Sequence, residues 1–396
     1  VILCHAEEVM KHWSLAASAA ACVLLSLGSG AALAAETDGF TTGKPEIRSM
    51  SALAFGPPGV LFVGDGRSGS IFAIDLGGRA KPPQEGTKPP EIQDLEGKIA
   101  ARLGTSPGEI MVHDMAVDPA SRRVYLAVSR GRDRWRSAWL LPNDVADATI
   151  LLEIDATGRI DEVPLDSVRF ARAELPNPVD PAKKHEWKKE VDLRADTITD
   201  MAFHAGTLWV AGLSNEEFAS TMWRFAWPFR PGATATTLEN YHGAHGKWET
   251  AAPIRTFVPY RLGNTEHVLA AYLCTPFVTF PASDLADGKH VKGRTIAEFG
   301  WGNYPLDMIV YRKQGKEKLL IANSNLPFMI VDPAEIERFT GAITAETKTY
   351  TAGVAYEPRS GTGVLQLDAF DDTQLLVLRR QPSGQMDLAA LPVENF

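Results

Sequence analysis

Three aspartates recur in one short phrase: Asp114 in HDMAV, Asp200 in TDMAF and Asp307 in LDMIV. Each phrase opens an apolar run, and a second run follows that ends in small polar residues: RRVYLAVS, TLWVAGLSN, KLLIANSN. Three weaker copies, ALAF…VLFVGD, IRTFV…VLAAYLC and QLDAF…LLVLRR, align Ala52, Arg255 and Leu367 with those aspartates. Carboxylates brought close together raise one another's pKa unless a cation or an Arg compensates. Asp114, Asp200, Arg255 and Asp307, with Asn325 from the NSN ending, therefore form the first candidate ligand site. Its three Asp oxygens, with an Asn carbonyl, suit a hard cation such as Ca²⁺. The competing role is structural, because an Asp at a strand start often accepts backbone N–H groups.

A second cluster lies in YHGAHGKWE, residues 241–249. His242, His245 and Glu249 supply imidazole and carboxylate donors of the kind that hold Zn²⁺ or Cu²⁺. The interleaved glycines predict a loop, so the logic of two histidines on one helix face does not transfer. The bland reading is a loop whose histidines bond backbone. Cys274, in AAYLCTPF, is a small buried hydrophobe or a soft-metal donor alongside His242, His245, Met308 or Met329. No His is placed by sequence to activate it as a nucleophile.

Other chemistry is excluded. GDGRSG at 64–69 fits G-x-G-x-x-G, but the strand-like SIFAID follows it, where a dinucleotide site needs a helix. It reads as a hairpin turn, and no nucleotide is expected. Without Cys-x-x-Cys-His there is no covalent haem, and without G-x-S-x-G no serine-hydrolase elbow. GLSNEEFAS, with Glu216 and Glu217, reads as a solvated loop. Trp135, Trp139, Trp223, Trp227 and Trp248 lie at or beside insertions, either as a ligand platform or as packing between blades.

The elements that position these residues come from the repeat itself. Most copies carry a third short strand (SIFAID, TILLEID, TMWRFA, PFVTFP, PFMIVD). A four-stranded unit repeated at this scale predicts an all-β, six-bladed β-propeller. The blades run about 47–79, 109–160, 196–228, 248–285, 299–337 and 350–392, and a seventh could hide in the long second interval. Insertions fill 80–108, with a helix over 91–103, then 130–148, 161–195 and 229–248. The strand near Pro45–Ser49 and the segment Met386–Pro392 are the natural pair to close the ring.

The blade phrase resembles the bacterial exported propellers of the NHL, YVTN and SMP-30/gluconolactonase-like type across nearly all of residues 35–396. The SMP-30-like enzymes hold one divalent metal in the channel through Glu, Asn and Asp. That resemblance implies a metal role for Asp114, Asp200, Asp307 and Asn325. Methylamine-dehydrogenase-type heavy chains are similar in architecture only.

Met10 begins a segment that reads as a signal peptide: Lys11-His12, an apolar stretch Trp13–Leu27, and the cleavage pattern Ala32-Leu33-Ala34. Residues 1–34 are thus upstream and leader sequence, and 35–396 one propeller domain with no membrane span. Cys4 and Cys22 leave with the leader, so Cys274 has no disulfide partner. The formal net charge of −9, without basic runs, disfavours nucleic acid. The reading is therefore an exported or periplasmic propeller that binds a small ligand, a divalent cation (Ca²⁺ or a transition metal) or a periplasmic protein partner. It would be an accessory to a periplasmic redox enzyme. The alternative is a metal-dependent lactonase- or esterase-like hydrolase at the channel mouth.

Overall fold

A computed structural model describes residues 39–130, 149–185 and 192–396. Met10, the leader pattern, Trp135 and Trp139 lie outside them. Among the described residues no helix is long and apolar enough to cross a membrane.

The described residues from Thr41 onward form six blades of antiparallel strands. Blade 1 runs Ala52–Phe55, Val60–Asp65, Ser70–Asp75, Val168–Glu174 and Thr41–Gly43 from centre to rim. Blade 2 is Met111–Val117, Val124–Ser129, Thr149–Ile154 and Ile160–Glu162. Blade 3 is Asp200–His204, Thr207–Leu213, Ser220–Ala226, Thr234–His242 and Lys247–Glu249, with His290–Lys292 added parallel to its fourth strand. Blade 4 is Ile254–Leu262, Thr265–Tyr272, Pro276–Pro281, Arg294–Glu298 and Ala352–Gly353. Blade 5 is Pro305–Lys313, Lys316–Asn323, Phe328–Val331 and Glu357–Arg359, and blade 6 is Val364–Ala369, Gln374–Arg380 and Met386–Pro392.

The middle strands read as near-continuous apolar runs because both of their faces are buried. In Val124–Ser129, Val124, Leu126 and Val128 pack toward blade 6, while Tyr125 and Ala127 pack toward blade 1. The period of two thus serves two interfaces at once. Cutting Leu126, which is fully buried, to Ala would cost about 2–5 kcal/mol.

The ring order is not the chain order. Innermost strands touch in the sequence 1–3–4–5–6–2 and back to 1. After four strands of blade 1, Thr41–Gly43 among them, the chain steps backward to build blade 2. It then returns as Val168–Glu174 to pair with Ser70–Asp75, and only afterwards proceeds to blade 3. That strand occupies the long interval in which a seventh blade could have hidden.

Closure also differs from expectation. Met386–Pro392 pairs with Gln374–Arg380, and its other edge is met by Ile92, which exchanges two backbone bonds with Leu388, each 2.9 Å. The helix Leu95–Leu103 follows directly. Glu96 receives Arg380 through both guanidinium nitrogens, at 2.7 and 2.9 Å, which clamps the helix to blade 6. Pro45–Ser49 forms no strand; the N-terminal strand is Thr41–Gly43, on the rim of blade 1. GDGRSG is a hairpin turn, with Gly69 at φ +69°.

Candidate metal centre and the carboxyl ring

The recurring aspartates are staples between blades. Asp114 Oδ1 accepts the N–H of Met115 at 2.7 Å, and its Oδ2 accepts that of Leu53, on blade 1, at 2.6 Å. Asp200 holds Met201 at 2.7 Å and Phe257, on blade 4, at 2.8 Å. Asp307 holds Met308 at 2.7 Å and Leu367, on blade 6, at 2.8 Å. A fourth, Asp368, holds Ala369 and Val117, on blade 2, each at 2.7 Å. All four point the same way round the ring.

β-Bulges fix which residue stands at the staple position of the blades that carry them. A bulge residue precedes the staple position in blades 2, 4 and 5, between Val112 and Asp114, Ile254 and Thr256, and Pro305 and Asp307. Arg255 is therefore the bulge residue of its blade, and Thr256 takes the staple position opposite Ala271. Arg255 pairs with Asp196 at 3.2 Å. In blade 6 the bulge lies between Val364 and Gln366, and its carboxylate, Asp368, stands two residues further along.

Asp114, Asp200, Asp307 and Asp368 line a central channel of about 670 Å³. Asn325 stands apart from it: its side chain donates to Gly302 O at 2.8 Å, and its N–H to Asn303 Oδ1 at 3.0 Å. Burial pushes the Asp200 carboxyl up to about 7 and Asp368 to about 6, against the backbone bonds that favour the charged forms. Burial and mutual repulsion across the channel hold Asp114 and Asp307 well above the usual range. The ring is thus a set of carboxyl groups that hold their protons more tightly than free aspartates, with both oxygens of each engaged by backbone N–H groups.

The second cluster converges on a different chemistry. The fourth strand of blade 3 ends at His242 and turns tightly into Lys247–Glu249, pairing Asn240 with Glu249 and His242 with Lys247. His245 sits in the turn, and the two imidazole rings lie 3.8 Å apart. Gly243 is required there: a Cβ would come within 2.9 Å of Ile343 and Thr347 and 3.0 Å of Glu298. Cys274 comes from the hairpin after Thr265–Tyr272 on neighbouring blade 4. One donor atom each from His242, His245 and Cys274 all lie within 4.8 Å of one another.

Glu249 lies on the Nδ1 side of both rings. Its Oε1 is 2.8 Å from His245 Nδ1, and its Oε2 is 3.0 Å from His242 Nδ1. A carboxylate on one nitrogen of a metal-ligating imidazole fixes the ring and leaves the other nitrogen for the metal. His242 is 1% exposed, and neither ring nitrogen makes a well-directed hydrogen bond; the Glu249 approach is close but off-line. Burial raises the Glu249 carboxyl, but the close approach of both imidazole rings outweighs this and holds it at about 2. Behind the loop, Glu298 Oε1 accepts the Gly243 N–H at 2.5 Å, and burial raises this carboxyl to about 7.

Cys274 and Thr275 have φ of +60° and +68°, the left-handed region that turns normally give to Gly or Asn. Cys274 N–H bonds Asn303 O at 3.0 Å, and Thr275 Oγ1 bonds Gly300 O at 2.8 Å. Strain maintained this way is characteristic of functional positions. Met308 and Met329 belong to the apolar core between blades 4 and 5. Glu216 is exposed and accepts from Asn177 at 2.5 Å, as a solvated loop requires. Trp223 is buried, and Trp227 packs against Phe62 and Phe229, so both serve blade packing.

No protein-family profile and no curated protein matches the chain. Among solved structures it is similar to the plexin A4 extracellular region, at 10% identity and a TM-score of 0.35. That match covers 90% of this chain and 47% of the plexin chain, so the chain spans about half its length. It is also similar to a protein of Thermus thermophilus named as an oxidoreductase (glucose dehydrogenase). There the identity is 14% and the TM-score 0.30, covering 89% of this chain and 100% of the other. At such distances neither similarity carries a functional argument, and the resemblance to NHL- and SMP-30-type propellers remains one of blade pattern.

Proposed function

We propose that this protein is an exported β-propeller that binds one transition-metal ion between blades 3 and 4, with His242, His245 and Cys274 as donors. The observation that carries this reading is the mutual approach of those three donor atoms within 4.8 Å. Glu249 supports it by fixing both rings rather than serving as a donor. The metal-holding residues lie on neighbouring blades, so an ion would tie the two together and stabilise the ring. Export is supported by the leader pattern after Met10, and such a protein would serve as an accessory to redox machinery outside the cytoplasm.

Binding is favoured over hydrolysis at the channel mouth. A hydrolase there would need a carboxylate free to act as base, and each ring Asp already accepts two backbone N–H groups. The test is metal titration of the exported protein, prepared free of metal. One Zn²⁺ or Cu²⁺ per chain, lost in a His242→Ala, Cys274→Ser double variant, supports the reading. Unchanged uptake in that variant overturns it.

A further inference from the structure

We infer that the centre formed by His242, His245 and Cys274 is a copper site for one-electron transfer. The inference rests on the metal-binding reading above and names its ion and its use. The donor set is two imidazoles and one thiol. Structural zinc sites close with four protein donors. Among the described residues no fourth His, Cys, Asp or Glu joins the group. A trigonal set of two His and one Cys is the arrangement copper accepts, with only a weak axial neighbour. Sulfur suits Cu(I), and imidazole suits both oxidation states.

The surroundings fit this use. A site that exchanges electrons works best when its geometry is held while the charge changes. His242 is buried at a strand end, Glu249 grips both rings, and Cys274 is fixed by its backbone bond to Asn303. His245 is different, with 47% of its side chain exposed. One ligand edge therefore reaches solvent, where a one-electron carrier protein can approach, while Cys274 is half-buried and His242 is covered.

The chemistry balances simply. On loading, the Cys274 thiol gives its proton to water and binds copper as thiolate. Cu(II) then takes one electron from a reduced one-electron carrier protein and becomes Cu(I), and an oxidised one-electron carrier protein takes that electron and restores Cu(II). No bond to a substrate forms or breaks, and no further proton moves.

The experiment uses the full exported protein loaded with CuSO₄. The expected result is an intense visible absorption from Cys274 sulfur to Cu(II). Ascorbate should bleach it, one electron per copper, and ferricyanide should restore it. Cys274→Ser should keep Cu(II) on the two imidazoles but lose the band, and His245→Ala, at an exposed position, should shift it. Both variants are checked for an unchanged thermal melt. Copper bound without the band, or the thiol consumed by oxidation, overturns the copper inference while Zn²⁺ uptake still supports metal binding. Failure to take up either ion overturns both.

Discussion

Asp114 and Leu53 meet across a blade boundary at 2.6 Å, although the chain between them builds the middle strands of blade 1 and the insertion that follows them. The same bond type recurs from Asp200, Asp307 and Asp368, so four of the six blade boundaries are stapled in one rotational sense. Blade 4 offers Thr256 and blade 1 offers Ala52 at the staple position, and their onward boundaries have no such bond.

Removing a staple should cost far more than removing a surface charge. Asp307→Ala leaves the N–H groups of Met308 and Leu367 without their carboxylate, a loss of about 2–4 kcal/mol. Asp166→Ala deletes an exposed ion pair with Lys44 and should stay within about 0.5 kcal/mol. Urea unfolding of both variants measures the difference; equal effects would contradict the staple role.

The ring carboxyls give stability an unusual pH dependence. Their folded pKa values are raised, to about 7 for Asp200 and about 6 for Asp368, from an ordinary value of 3.8. The folded state therefore holds more protons than the unfolded chain in this window, and stability falls as pH rises through it. The expected melt declines from about pH 4 to pH 7. Asp200→Asn, uncharged throughout, should show a shallower decline; an identical slope would refute this assignment.

Calcium should leave the melting temperature unchanged. The ring oxygens are engaged with backbone donors, and Ca²⁺ asks for six to eight oxygen ligands. A rise in wild type that Asp200→Ala abolishes would restore the cation reading of Asp114, Asp200 and Asp307.

The clamp on blade 6 should matter as much as a core residue. Arg380→Met leaves Glu96, which is 6% exposed, without its partner, and should cost about 3 kcal/mol. Thermal melts of Arg380→Met and of Glu96→Leu with Arg380→Met distinguish the roles. The double variant should recover part of the loss, and no recovery would mean that the helix is held by its apolar face alone.

Much of this was legible in the chain. The blade phrase gave away the propeller because buried middle strands must be apolar on both faces, as Val124–Ser129 is. The ring order was not legible. Val168–Glu174 packs one face at the rim, carries Arg and Glu on the other, and so resembles an insertion. Asp368 was missed because it stands two residues beyond the position after the bulge that Asp114 and Asp307 occupy. His242, His245 and Glu249 stood out as a local cluster. Cys274 joins them only because blades 3 and 4 are neighbours.

Glu249→Gln separates a positioning role for Glu249 from a donor role. It keeps all three donors but weakens the grip on both rings, and metal affinity should fall about 10–100-fold. Competition titration against a chelator measures it; complete loss of the ion would make Glu249 a donor, and no change would make it a bystander.

The most direct measurement is X-ray absorption at the metal edge of the loaded protein. The account predicts a first shell of one sulfur and two imidazole nitrogens, with the sulfur absent in Cys274→Ser. A shell of oxygen and nitrogen alone in the wild type, unchanged by that substitution, would contradict it.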